Sequence, residues 1–427
     1  MTIAFLLGSL LLSLAIRIPV AIALGLSSVL TLVLFGDQSL LSLAQRFFHA
    51  MEVYPLLAVP FFILAGTFLT TGGVARRLIA FAVAVTGWVR GGLAMGSVLA
   101  CMLFAAISGS SPATVVAVGS ITIAGMVGAG YSREFATGVV TNAGTLGILI
   151  PPSIVMVVYG AITETSVGEL FMAGVVPGVI LTLAMMAVIY VIARRKALPR
   201  RDDVSLREVL RTGRNAFWGL LLIAIILGGI YGGVFTPTEA AAVSAVYAMI
   251  IAVFVYRDLR PGEISGVLVE SVRITTMLMF IVANAYLFSF VLTVEQIPQT
   301  LTEAVLALDL PPWAFLLLIN AVLLIAGNLM DPTSVVLILA PIIFPLAVGL
   351  GIDPVHLGVI MVVNMEIGMV TPPVGLNLFV ASGVSGLPLT RVIRASLPWL
   401  LLLLAFLMLV TYVPRLSLFL PELMIGR

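Results

Sequence analysis

The chain has 427 residues, of which 61% are hydrophobic and 9% charged, with a net charge of +2 and a mean hydropathy of +1.24. So little charge cannot cover a soluble globule, so the composition is that of a polytopic membrane protein without a separate soluble domain. The single cysteine, Cys101, lies in an apolar run and reads as a small core residue, which excludes a disulfide frame and a cysteine-rich metal site.

In chain order, apolar runs bounded by breakers predict spans near 3–16, 19–35, 54–71, 135–160 and 170–192. After a basic segment they resume near 217–235, 237–255, 271–293, 356–380 and 397–413. The first run is read as a retained span, because no small-residue cleavage site precedes Arg17. Two further pairs of apolar segments, 93–107 with 112–128 and 313–329 with 332–349, flank polar interruptions. These are Ser108-Gly109-Ser110-Ser111-Pro112 and Asn328-Leu329-Met330-Asp331-Pro332. A broken helix exposes carbonyls and amides that hydrocarbon cannot satisfy, so the break is tolerated only where protein or a small aqueous cavity covers it. Each pair is therefore read as a re-entrant hairpin whose tip stops partway through the bilayer, near 93–128 and 313–349. Segments 73–88 and 295–309 are too short or too polar to cross and read as connecting helices along the membrane surface.

With the hairpins counted as non-crossing, 18 of the 21 Lys and Arg residues fall on one side, all but Arg46, Arg415 and Arg427. That side is expected to be cytoplasmic, with both termini periplasmic. Five crossings in each half turn the second half upside down relative to the first, which is the arithmetic of an inverted repeat. Ordered anchors support it. Pro19-Val20-Ala21 matches Pro237-Thr238-Glu239 at an offset of 218, the tips match at 220, and Pro151-Pro152 matches Pro372-Pro373 at 221. The organisation is thus a first repeat over 1–192, a basic cytoplasmic linker over 193–216 and a second repeat over 217–427.

Downstream of each tip lies an interrupted helix, Asn142-Ala143-Gly144-Thr145-Leu146-Gly147-Ile148-Leu149-Ile150-Pro151-Pro152-Ser153 within 135–160 and Asn364 to Asn377 within 356–380. Double proline removes two amides and disfavours the α region just before it, so each helix opens into an extended link. The nearby glycines allow a facing tip to come close. Carbonyls of the links, hydroxyls of the tips and the amides Asn142 and Asn364 form an oxygen-only donor set that suits a hard cation such as Na⁺ and not a transition metal. Half-helix C-termini present carbonyls to a cation while N-termini present amides to a carboxylate. Asp331 and Glu366 are the acids this topology places deep in the membrane, at a cost of about 3 kcal/mol each, which makes them functional candidates. Asp331 before Pro332 is also good N-cap chemistry, and protonation of either acid is an alternative to cation binding. Thr236-Pro237-Thr238-Glu239 reads as a capping box, Arg17 as a turn residue, and His49 and His356 as outer-edge residues rather than ligands. Zinc-protease, nucleophile-elbow and phosphate-loop signatures do not occur.

Together these residues resemble one family. The order Arg17-Ile18-Pro19-Val20-Ala21, Ser108-Gly109-Ser110, Asn142 to Ser153, Gly233 through Thr236-Pro237-Thr238-Glu239, Asp331-Pro332-Thr333-Ser334 and Gly368 to Asn377 is similar to the large membrane subunit of tripartite ATP-independent periplasmic (TRAP) transporters. The resemblance implies an all-α polytopic elevator-type transporter of the bacterial inner membrane, with scaffold and transport domains. It implies a sodium-coupled importer of an organic acid, with Na⁺ as the coupling ion. Its partners would be a separate small four-helix membrane subunit and a periplasmic substrate-binding protein, with no role for nucleic acid. Carried over by position, Ser108, Gly109, Ser110, Asn142, Gly144 and Gly147 would serve one sodium site, and Asp331, Thr333, Gly368 and Thr371 the other. Ser111, Thr145, Pro151, Ser153, Glu366, Pro372 and Asn377 are assigned to the solute. The alternative within the same architecture is a self-sufficient Na⁺/carboxylate symporter. An integral enzyme acting on lipid lacks the acid or histidine clusters it would need, and a purely structural subunit gives no reason for paired helix breaks.

Overall fold

A computed structural model describes residues 2–35, 40–196, 198, 205–297 and 311–426, and their regular structure is helical throughout. The first half runs α1 (Thr2–Ala15), α2 (Val20–Phe35), α3 (Leu40–His49), two short 3-10 turns, α4 (Ala58–Thr71) and α5 (Val74–Thr86). It continues with α6 (Gly92–Ser108), α7 (Ser111–Gly128), α8 (Arg133–Ala143), the single turn α9 (Leu146–Leu149), α10 (Ile154–Thr163) and α11 (Val167–Arg195). The second half runs α12 (Leu206–Tyr231), α13 (Pro237–Ile250), α14 (Ile264–Val294), α15 (Pro312–Leu329) and α16 (Pro332–Gly349). It ends with α17 (Pro354–Met369), α18 (Leu376–Ser385), α19 (Leu389–Tyr412) and α20 (Arg415–Ile425).

Among the described residues, 10 helical stretches are long and apolar enough to cross a membrane, and that number includes α7, α15 and α16. Length alone does not decide their course. α6 and α7, with 17 and 18 residues, each reach only about 26 Å, less than the ~30 Å of hydrocarbon. Each pairs with its sequence neighbour, α6 with α7 and α15 with α16. Their tips end against other helices: Ser108 and Gly109 are buried, and Asp331 and Thr333 line a cavity shared with the first tip. Both pairs are therefore re-entrant hairpins.

The packing repeats along with the sequence. α2 lies on α14 as α13 lies on α4, α7 on α18 as α16 on α10, and α6 on α8 as α15 on α17. A shift of about 220 positions, the offset of the two tips, carries each of these pairs onto its partner. The protein is an all-α polytopic membrane fold of two such repeats. α1, α2, α4, α12, α13 and α14 pack into one group, and the hairpins with the interrupted helices and α11, α19 and α20 pack into another. α5 touches both, lying on α12 and on α6.

Local chemistry sets many helix starts. Ser132, Ser153, Ser166, Ser205 and Asp331 each accept a first-turn amide with the side chain. The expected capping box at α13 is complete: Thr236 N donates to Glu239 Oε2 at 2.8 Å and Glu239 N to Thr236 Oγ1 at 3.3 Å. Some boundaries differ from the hydropathy reading. α14 begins at Ile264 rather than near 271, because Glu270 and Arg273 lower hydropathy without breaking the helix. α12 begins at Leu206, since Ser205 caps a helix that runs from the basic linker into the span. α3 and α20 have no counterpart in the predicted spans. α20 packs on α11, and its residue Ser417 meets the ring of His356, which is buried in the first turn of α17. Linker residues 199–204 and most of the connecting segment 295–309 lie outside the described residues.

Candidate functional site

Both interrupted helices open at their double prolines. After α9, Ile150 is extended, the Pro151-Pro152 bond is cis, and Ser153 restarts the helix. The Ser153 hydroxyl donates to Ile148 O at 2.6 Å and accepts from Met156 N at 3.3 Å. After α17, Thr371 Oγ1 donates to Ile367 O at 2.6 Å, the Pro372-Pro373 bond is cis, and Gly375, at φ +45°, leads into α18.

The hairpin tips press against these links at contact distances that only glycine allows. A Cβ at Gly147 would lie 2.6 Å from Ser110 O, and one at Gly368 would lie 2.6 Å from Gly327 O. Gly109, at φ +61°, turns the first tip beside Pro152 O. The second link also donates directly to its tip, from Val374 N to Asn328 O at 3.2 Å. Within the first tip, Thr114 Oγ1 donates to Ser110 O at 2.8 Å and meets Ser108 Oγ at 3.2 Å. Within the second, the Asp331 carboxylate accepts from Ser334 N at 3.0 Å and from the Ser334 hydroxyl.

Between the tips and the first group of helices lies a cavity of about 600 Å³, the size of a small-molecule site. Gly109, Ser110 and Ser111 reach it from one tip and Asp331, Pro332 and Thr333 from the other. The opposite wall is apolar: Pro19 to Ile22 at the start of α2, and Ile274, Met277, Leu278 and Ile281 on one stripe of α14. Ile148, Ile154 and Val155 from the first interrupted helix and Met369 and Leu376 from the second also line it.

Of the residues assigned to the solute, Ser111 lines this cavity, while Thr145, Pro151, Ser153, Glu366, Pro372 and Asn377 stand outside its lining. Asn377 is fully buried and donates to Ser111 Oγ at 2.7 Å. Glu366 is fully buried on α17, and beyond its contact with Thr145 its oxygens have no hydrogen-bond partner among the described residues. Thr145, on whose flank that carboxyl sits, directs its own hydroxyl to Asn142 O at 2.7 Å. The buried oxygens Asn142 Oδ1, Asn328 Oδ1, Asn364 Oδ1 and Asn377 Oδ1 also lack a hydrogen-bond partner among the described residues. Buried polar atoms are normally satisfied, so each of these acceptors is open to a donor or a hard cation. Asn328 was missing from the assigned residues. Its signal was its register, since it stands 220 positions after Ser108. No group of three or more His, Cys, Asp or Glu that could hold a metal ion occurs among the described residues.

Comparison with known proteins follows the same lines. Residues 7–416 match the family model described as "Tripartite ATP-independent periplasmic transporter, DctM component". The chain is 65% identical over 94% of both chains to the C4-dicarboxylate TRAP transporter large permease protein DctM of Pseudomonas aeruginosa. It is 43% identical to the isethionate TRAP transporter permease protein DctMQ of Oleidesulfovibrio alaskensis, over 95% of this chain and 64% of that one. Among solved structures it resembles the YdaH transporter of Alcanivorax borkumensis, with a TM-score of 0.63 and 16% identity over 87% of this chain and 86% of that one. That last likeness is one of fold.

Proposed function

The chain belongs to the DctM family of tripartite ATP-independent periplasmic transporters, and from that membership we propose that it is a sodium-coupled importer of C4-dicarboxylates in the bacterial inner membrane. The observation that carries the proposal is convergence: both hairpin tips reach one cavity and each tip docks on a link opened by double proline. Scaffolding alone gives no reason for two such breaks to meet.

The chemistry of the two tips is unequal in a useful way. α7 starts with Ser111 and Pro112 and has no side-chain cap, so its first-turn amides and the positive end of its dipole are open to a carboxylate. α16 is capped by Asp331, which brings a negative charge to the cavity and favours a cation. Sodium would be held on the first side by tip carbonyls of Ser108, Gly109 and Ser110 with Asn142, Gly144 and Gly147. On the second side it would be held by Asp331, Thr333, Gly368 and Thr371, with Asn328 added. Sodium that orders the links also completes the solute site, so the two ligands bind reciprocally. The hairpins and interrupted helices then move as one body against the group that contains α2 and α14, in the manner of an elevator.

The partners in this reading are a periplasmic substrate-binding protein and a small membrane subunit. The tripartite family supports both, and the longer relative DctMQ has length beyond the matched part for a further unit. The basic linker faces the cytoplasm and both termini the periplasm. Uptake of radiolabelled succinate into proteoliposomes tests the proposal: it should require an inward sodium gradient and the binding protein together. Uptake without sodium overturns the coupling. Uptake that is unaffected by omitting the binding protein supports the self-sufficient symporter instead.

A further inference from the structure

Four residues that repeat at an offset of 221 stand in two layers. Ile148 and Met369 form one such pair, and both line the cavity. Thr145 and Glu366 form the other, one helical turn before each, and neither reaches the cavity. Glu366 sits beside Thr145, where α9 packs on α17. Two positions that a repeat exchanges, when they touch each other, lie on the axis that relates the repeats. The molecule therefore has an axial pair with unlike chemistry, a hydroxyl from the first half and a carboxyl from the second, behind an apolar floor.

That carboxyl is fully buried, and beyond its contact with Thr145 its oxygens have no hydrogen-bond partner among the described residues. An ionised carboxylate in such a place needs a counter-charge or full hydrogen bonding. We propose that Glu366, with Thr145, holds a monovalent hard cation on the repeat axis, separate from the ions at the hairpin tips. The donors are all oxygen, which selects a hard cation. One carboxylate among neutral oxygens balances a single positive charge and no more, which points to Na⁺ rather than Mg²⁺ or Ca²⁺. Met369, an unbranched and adaptable side chain three residues after Glu366, lines the cavity and would provide the way in. Because the site is closed off from the solute, its ion acts on the interface between the repeats rather than on solute contact.

The inference rests on the sodium-coupled reading, and the test separates the two. Equilibrium binding of ²²Na⁺ to the purified permease with its small subunit, without solute, counts the ions per chain. Glu366→Gln should bind one ion fewer than the unsubstituted protein. Thr145→Val, which keeps the carboxylate, should retain the count and weaken the affinity of one site by about tenfold. This second variant decides the matter if the first proves poorly folded. An equal count and equal affinities in both variants overturn the axial site, including the case in which a proton occupies the carboxyl. Absence of any ²²Na⁺ binding by the unsubstituted protein overturns the sodium-coupled reading, and the axial site with it.

Discussion

The side-chain amide of Asn377 donates to the hydroxyl of Ser111 at 2.7 Å, joining residues 266 positions apart. Asn377 lies in the first turn of α18 in the second repeat, and Ser111 begins α7 at the first tip. The position 221 before Asn377 is Met156, which has no comparable amide, so this strut has no mirror image. Through it the second interrupted helix holds the first tip. Asn377→Ala and Ser111→Ala should each slow uptake about tenfold, and the double variant should be no slower than the worse single one. The double-mutant cycle should give a coupling of about 1 kcal/mol. Effects that simply multiply in the uptake assay would show the two side chains to be independent.

Docking of the tips predicts a sharp response to single methyl groups. Gly147→Ala and Gly368→Ala place a Cβ 2.6 Å from backbone oxygens, so the tip or the link must move. Both should lower the uptake rate at least tenfold, roughly 1.4 kcal/mol in the barrier. Gly125→Ala, which meets nothing within 4 Å, serves as the control and should leave uptake unchanged.

Asp331 has two roles that different substitutions separate. Its carboxylate caps α16 through Ser334, and it also faces the cavity. Asp331→Asn keeps a capping oxygen and removes the charge, so it should raise the half-saturating sodium concentration while leaving thermal stability nearly unchanged. Asp331→Ala should add a stability loss of about 1 kcal/mol. A sodium response of proteoliposome uptake that both variants leave unchanged from the unsubstituted protein would remove Asp331 from the ion site.

Thr236→Ala disconnects the capping box of α13, which stands away from the cavity. Chemical denaturation should show a loss of about 1 kcal/mol, and uptake per folded protein should stay the same. A specific loss of transport would place α13 in the moving machinery.

Sequence carried the broken helices well, because glycine, proline and serine leave local marks that no packing can disguise. The tips at Ser108 and Asp331 and the links at Pro151 and Pro372 are where those marks put them. The surroundings of Glu366 and Asn377 were another matter. Which flank of α17 meets α9, and which residue the Asn377 amide finds, depends on helices brought together from distant parts of the chain. Hydropathy cannot separate a residue that lines a cavity from one that lies behind it, so Ser111 and Glu366 looked alike as solute contacts. The early start of α14 was hidden for a simpler reason: Glu270 and Arg273 look like a boundary to hydropathy and are ordinary residues to a helix.

The apolar wall opposite the tips has a pharmacological consequence. Pro19, Val20, Ala21 and Ile22, with the stripe of α14, present only apolar side chains to the cavity, so under the proposed function a cargo held by the tips would meet no polar side chain on that wall. A dicarboxylate carrying a greasy branch would behave differently. Its acid groups would bind the mobile half while its branch adhered to the static half, and the molecule would jam the stroke as a non-transported inhibitor.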